Sequence, residues 1–312
     1  MRERKSFYVI FAIAAALVLP AAIALRTVIH PVIWQATSDN PTPFGYTWSL
    51  LLFIVPIAAL GWWFACRPDL QFPRKAFWRT IAVLAPLGFL LDLLFGNTFF
   101  IFQNKAATLG CEIPAVGGAI PIEEFVFYLA GFMLVLLSYI WCDEYWMGAY
   151  NVPDYTVATK GIPRIVRFHF ASVILGAALI AAAVLYQKFV SGAAEGFPWY
   201  FVYLVCASII PSAGFFYTAQ QFINWRAFSF TFFLLLLISL LWEVTLALPY
   251  GWWEYRTGIL MGLHIGAWSG LPIEAVCVWF AVSFTTIITY EVIKIWKALG
   301  TRALEAFFGI RK

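Results

Sequence analysis

Eight stretches of about 20 apolar residues run through this chain, each long enough to cross a hydrocarbon layer of about 30 Å as a helix. They cover residues 7–25, 46–66, 77–102, 120–142, 168–186, 197–217, 228–250 and 271–296. Backbone groups in lipid must find their hydrogen bonds inside the segment, so runs of this length predict helices and not open strands. The chain is 63% hydrophobic and 12% charged, against roughly a quarter charged in an ordinary soluble domain, and no soluble core could take up that much apolar surface. The expected fold class is all-α, a polytopic transmembrane helix bundle. The first stretch follows Arg2, Arg4 and Lys5 and precedes Ala21 and Ala22, in the manner of a signal peptide. Its length, about 19 apolar residues, is read as a retained helix.

A net charge of +4 resolves into a topology signal once the basic residues are sorted by connection, because Lys and Arg near helix ends resist translocation. One side takes the N-terminal tail, Arg67 to Arg79, Lys160 to Arg167, Arg226 and the stretch from Lys294, sixteen residues in all. The other takes Arg26, Lys105, Lys188 and Arg256. The bias predicts cytoplasmic N- and C-termini, an even number of spans, and no nucleic-acid partner. Five unclustered cysteines and three scattered histidines predict neither a disulfide framework nor a metal site. Only His264 stands near acidic residues.

Internal similarity comes next. A shift of 151 residues lays spans two to four on spans six to eight without a gap. Trp48 then meets Trp199, Thr80 meets Thr231, Lys75 meets Arg226, Asp92 meets Glu243, Gln103 meets Glu254, and Lys105 meets Arg256. Pro121-Ile122-Glu123 meets Pro272-Ile273-Glu274. Apolar helices match readily by chance, whereas acids, bases and prolines in one register do not. The reading is two parallel four-helix units, residues 1–150 and 151–312, joined through a polar stretch at 143–163 and related by an axis along the membrane normal.

The chemistry is expected at acids inside the spans, where an ionisable group costs roughly 2.5–3.5 kcal/mol even on lenient insertion scales. Asp92 with Glu123 and Glu124 forms one set, and Glu243 with Glu274 the other. At about 1.5 Å per residue, Asp92 lies about 22 Å along its helix and Glu123 in the first turn of the next, so both sets fall in the outer half of the membrane. Pro121 and Pro272 are expected in the first helical turn, with the following carboxylate facing the positive end of the helix dipole. First-turn Glu is also an ordinary capping choice, which explains Glu123 alone but not an intramembrane acid on the preceding helix. Lys294 is expected to snorkel to the interface and not to carry a retinal Schiff base. Aromatic residues gather around the acids, among them Phe95, Phe127, Trp242, Tyr250, Trp252, Trp253, Tyr255 and Trp268.

Carboxyl groups in a dry aromatic pocket suit one kind of chemistry. Burial favours the neutral acid, which can then protonate a carbon–carbon double bond. Aromatic faces stabilise the resulting carbocation and exclude the water that would trap it. A polyene dissolved in the bilayer is the natural substrate.

From Asp92 to Tyr128, ending in Ile-Pro-Ile-Glu-Glu-Phe-Val-Phe-Tyr, and in its echo from Glu243 to Trp279, the chain resembles the small integral-membrane lycopene cyclases. That family occurs as two short subunits in some bacteria and as fused two-unit chains in archaea, other bacteria and fungi. The resemblance covers about two thirds of the chain, and its sharpest motif is four or five residues long. It implies cyclisation of the ψ end of lycopene to a β-ionone ring, without net redox change, in a bacterial or archaeal cell membrane. Glu123 or Glu124 would then be the proton donor, with Asp92 orienting it or sharing its proton, and Glu243 and Glu274 binding or taking the proton away. Ala275 stands where the second unit lacks the second Glu, so the units are expected to be alike in fold and different in duty. No Gly-x-Gly-x-x-Gly follows a strand, so no nucleotide cofactor is expected. Expected partners are the lipid-soluble polyene and membrane lipids, with a homo-oligomer or association with other carotenoid enzymes left open. A cyclase of another linear carotenoid, C50 chains included, a non-catalytic carotenoid or retinal binder, and a transporter are the competing readings. A transporter would place its site at broken helices near the midplane.

Overall fold

A computed structural model describes residues 42–67, 69–70, 72–191, 196–266 and 268–310. It is 69% helical, an all-α polytopic bundle with seven helices long and apolar enough to cross a membrane. These are α1 (Gly45–Ala65), α2 (Arg74–Phe99), α3 (Ile122–Trp141), then, after the short linker helix α4 (Tyr155–Ala158), α5 (Phe170–Phe189), α6 (Trp199–Ala219), α7 (Trp225–Trp242) and α8 (Ile273–Leu299). A short α9 (Ala303–Phe308) follows. The seven long helices match apolar stretches expected from the sequence to within about three residues at each end, α7 once the turn that extends its span to Ala247 is included. The expected first span and the basic N-terminal tail lie outside the described residues.

Two helices form the axis of the bundle. In the apolar windows of the spans that contain α3 and α8, 67% and 61% of residues are buried, against 17–39% in the other spans. The two pack on each other, and each also reaches into the opposite unit: α3 contacts α1, α2 and α7, while α8 contacts α6, α7 and α2. The helices α3 and α8, which the 151-residue shift lays on each other, thus pack along a shared seam. Tyr139 and Tyr290, which the shift superposes, meet across that seam edge to face, 6.1 Å apart.

Each central helix is entered from a short antiparallel hairpin. β2 (Glu112–Ala115) pairs with β3 (Gly118–Pro121) ahead of α3, and β5 (His264–Ile265) with β6 (Leu271–Pro272) ahead of α8. A third pair, β1 (Phe100–Ile101) with β4 (Glu254–Tyr255), joins the units. Beside it the equivalents Gln103 and Glu254 share a 2.7 Å hydrogen bond. Pro121 and Pro272 sit one residue earlier than expected, at the N-cap, with nearly identical extended backbones of φ −65°, ψ 146° and φ −68°, ψ 146°. Proline fits there because its fixed φ and missing N–H cost the helix nothing. The carboxylates that follow each proline fall in the first turn, as expected.

Both α3 and α7 end by widening into a π turn, over Cys142–Trp146 and Glu243–Ala247. Such turns insert an extra residue and often mark functional positions. The second begins at one of the intramembrane acids.

Candidate active site between the two units

Successive residues on a helix point about 100° apart, and the neighbours Glu123 and Glu124 accordingly do different things. Glu123 turns toward the preceding loop, where its Oε1 accepts the Leu109 N–H at 2.7 Å and the Thr47 hydroxyl at 2.6 Å. Glu274 repeats this in the second unit, accepting the Met261 N–H at 2.6 Å. In both, Oε2 is buried without a hydrogen-bond partner. The shared geometry pins each loop to the start of its central helix.

Glu124 faces a cavity instead. Its Oε1 accepts the Tyr46 hydroxyl at 2.5 Å, and its electrostatic neighbours are Asp92, Glu123 and Glu243. Glu243 faces the same cavity from the other unit. Ser239 donates to its Oε1 at 2.8 Å and Tyr255 to its Oε2 at 2.7 Å, so both oxygens accept from hydroxyls. Burial first, and then the Glu243 carboxylate, hold the Tyr255 phenol well above its ordinary pKa, which keeps its hydrogen in place.

The cavity has a volume of about 60 Å³, several times the ~10–15 Å³ that one water needs on this measure. Phe127, Trp242, Trp253, Trp279, Tyr128 and Tyr200 line it together with Glu124 and Glu243. Its walls are braced ring on ring. Trp242 lies 4.7 Å from Phe127 and 4.6 Å from Trp253, and Phe53 stacks on Trp279 at 5.8 Å. The Trp242 indole N–H donates to Ser49 Oγ at 2.7 Å, which fixes the ring plane. Gly131 and Val282 carry the cavity a turn or two further along α3 and α8.

Asp92 is 2% exposed and stands beside the cavity without lining it. Neither of its oxygens makes a hydrogen bond of ordinary geometry, and the Tyr128 phenol is a neighbouring polar group that interacts with it. Its space is kept open by Gly96, one turn on, where an added Cβ would come within 2.7 Å of both Asp92 Oδ1 and Ile120 Cδ1.

Of the aromatic residues expected around a substrate, the structure brings Phe127, Trp242 and Trp253 to the cavity. Phe95, Tyr250 and Trp268 are elsewhere. Phe95 is 40% exposed against Tyr203, Tyr250 stacks on Trp252, and Trp268 belongs to the turn between β5 and β6. Tyr46, Phe53, Tyr128 and Trp279 are additions. Tyr128 and Trp279 are equivalents under the repeat and stand four residues after Glu124 and Ala275, a helical spacing that the sequence carries. Tyr46 meets Glu124 across 78 residues of chain, and nothing local announces it.

Lys294, expected to snorkel outward, is instead held inside the bundle by an ionic cluster. Its side chain is 11% exposed, with Asp143, Glu291 and Glu144 carboxylates at 3.5, 3.6 and 3.8 Å. The Tyr155 ring lies 4.3 Å from its Nζ. Among the described residues no group of three His, Cys, Asp or Glu is arranged to hold a metal ion.

Fold and site together define an integral-membrane helical protein in which an aromatic cavity holds Glu124, from the first turn of α3, and Glu243, from the end of α7. No protein-family model, curated protein or solved structure matches the chain.

Proposed function

We propose that this protein cyclises an open end of a linear carotenoid, lycopene or a relative, by acid–base catalysis inside the membrane. The observation that carries the reading is the convergence of Glu124 and Glu243, from different units, on one aromatic cavity. Glu124 is the proton donor. Tyr46 occupies Oε1, which leaves Oε2 to carry the proton toward the terminal double bond of the polyene. Protonation there gives a tertiary cation, and the neighbouring double bond attacks it to close the ring. Trp242, Phe127 and Trp279 present π faces to the positive charge, and such contacts strengthen as water is excluded. Glu243 takes the ring proton. Two hydroxyl donors stabilise it as a carboxylate, the form a base must have. One proton enters the substrate and one leaves, so the product is an isomer of the substrate.

The division of labour explains Ala275. The second unit contributes its acid from the end of α7, and a second Glu after Pro272 would place another carboxyl beside the base. Producing the protein in a lycopene-accumulating host tests the proposal. β-Ring carotenoids are expected with the wild type and lycopene with Glu124→Gln. Uncyclised pigment with the wild type, both in this host and in one that accumulates a linear C50 carotenoid, would refute the cyclase reading, and such pigment co-purifying with the protein would favour a binding protein.

A further inference from the structure

Below the cavity, α8 carries a line of hydroxyl groups that the cyclisation itself does not use. Ser283, Thr286 and Tyr290 are each 0% exposed, and none of the three hydroxyls has a hydrogen-bond partner. Serine and threonine on helices usually satisfy themselves by donating to the carbonyl four residues back, as Thr80 and Ser208 do here. Leaving a buried hydroxyl unpaired forfeits the hydrogen bonds it makes with water in the unfolded chain, and three in a row on one helix face call for an explanation.

Their positions supply one. Trp279, Ser283, Thr286, Tyr290 and Lys294 follow each other at three- and four-residue steps, so they form one stripe along α8. The stripe begins at Trp279, the cavity residue beside Glu243. It ends at the buried ionic cluster of Lys294, Glu291 and Asp143, where Tyr139 and Tyr155 donate to Glu291 at 3.0 and 2.5 Å. The span from 279 to 294 is about 22 Å at 1.5 Å per residue. Steps of three or four residues rise about 4.5–6 Å, the reach of one water between two hydroxyls. Ser138 on α3, 2% exposed and also unpaired, lies on the helix face that continues from Glu124 and Gly131 at seven-residue steps.

We propose that this stripe is a proton path from Glu243 to the Lys294 cluster at the opposite end of the bundle. The proposal rests on the cyclase reading. After each ring closes, Glu243 holds the proton lost by the ring while the product still fills the space between it and Glu124. The base must therefore be emptied by another route before the next turn, and the stripe provides it: the proton passes through Ser239 and bridging waters to Ser283, Thr286 and Tyr290, then to a carboxylate of the cluster, and leaves to water past the part-exposed Glu144, while Glu124 regains one proton from the aqueous phase, so that none is consumed over the cycle. No oxidant or other reactant is involved.

Thr286→Val removes the middle hydroxyl at nearly constant volume, and Thr286→Ser keeps it. In lipid vesicles loaded with lycopene, the Val variant is expected to form about one ring per protein at the wild-type rate. It then turns over at least tenfold more slowly, and the Ser variant shows no such break. A simple packing defect would slow the first ring as much as the later ones. Wild-type kinetics in Thr286→Val, or an equal loss in both phases, would overturn the path and leave the cyclase reading standing. Failure of the wild type to form any ring would remove both.

Discussion

Glu123 and Glu124 are adjacent in sequence and both buried, yet their surroundings assign them opposite roles, and replacing each by Gln separates them. Glu124 is the acid in the cavity. A positioned general acid contributes roughly 10²–10⁴-fold, about 2.7–5.5 kcal/mol of barrier, and Glu124→Gln forfeits that while its amide oxygen still accepts from Tyr46. Turnover should fall within that range and the melting temperature should hardly move. Glu123 holds the Leu109 N–H and the Thr47 hydroxyl. Hydrogen bonds to a charged group contribute about 1.5–3 kcal/mol and neutral ones about 0.5–1.5. Glu123→Gln should therefore cost about 2–3 kcal/mol of stability over its two bonds and lower turnover less than tenfold in the protein that remains folded. The assay pairs initial ring-forming rates in lipid vesicles with thermal melting of the same preparations. A Glu123→Gln variant that melts like the wild type and is inactive, beside an active Glu124→Gln, would refute the assignment.

The ionic cluster gives a second expectation: Lys294→Met leaves buried carboxylates without their cation and should cost about 3–5 kcal/mol, the usual result of removing one partner of a buried pair, seen as a large drop in melting temperature. Gly96→Ala forces a Cβ against Asp92 and Ile120 and should cost about 1–3 kcal/mol, as overpacking does; a variant as stable as the wild type would show that Asp92 is free to move. For Tyr155 and Tyr255, burial and then a neighbouring carboxylate raise the phenol pKa. The unfolded chain, which ionises near pH 10, then loses these protons before the folded one does. Their contribution is intact below about pH 10 and is lost as the pH rises further, and Tyr255→Phe should flatten the alkaline fall in melting temperature.

Much of this was legible in the sequence. Hydrophobic run length alone located the seven described spans, because lipid leaves the backbone no other solution. The 151-residue repeat located the two acid sets, because an intramembrane acid stands out against an apolar background. The direction of each carboxyl was less accessible. Glu123 and Glu124 look alike in a motif, and only the position of the preceding loop decides which one binds backbone and which faces the cavity. Lys294 reads as an interfacial lysine in the sequence because its partners Asp143 and Glu144 lie about 150 residues away. Phe95, Tyr250 and Trp268 stand close to the acids in sequence alone. In three dimensions the cavity is lined instead by Tyr128, Tyr200 and Trp279, with Tyr46 bonded to Glu124 and Phe53 stacked behind Trp279, a neighbourhood that depends on how distant helices pack.

The central claim, that carboxyl groups in the cavity add and remove one proton at a polyene end, is tested most directly by mass. The purified protein, reconstituted in lipid with lycopene and transferred to D₂O, should yield a β-ring product of the same elemental composition, with one deuterium for each ring formed. Recovery of uncyclised lycopene would contradict the account, and so would a product differing by two hydrogens or by the elements of water.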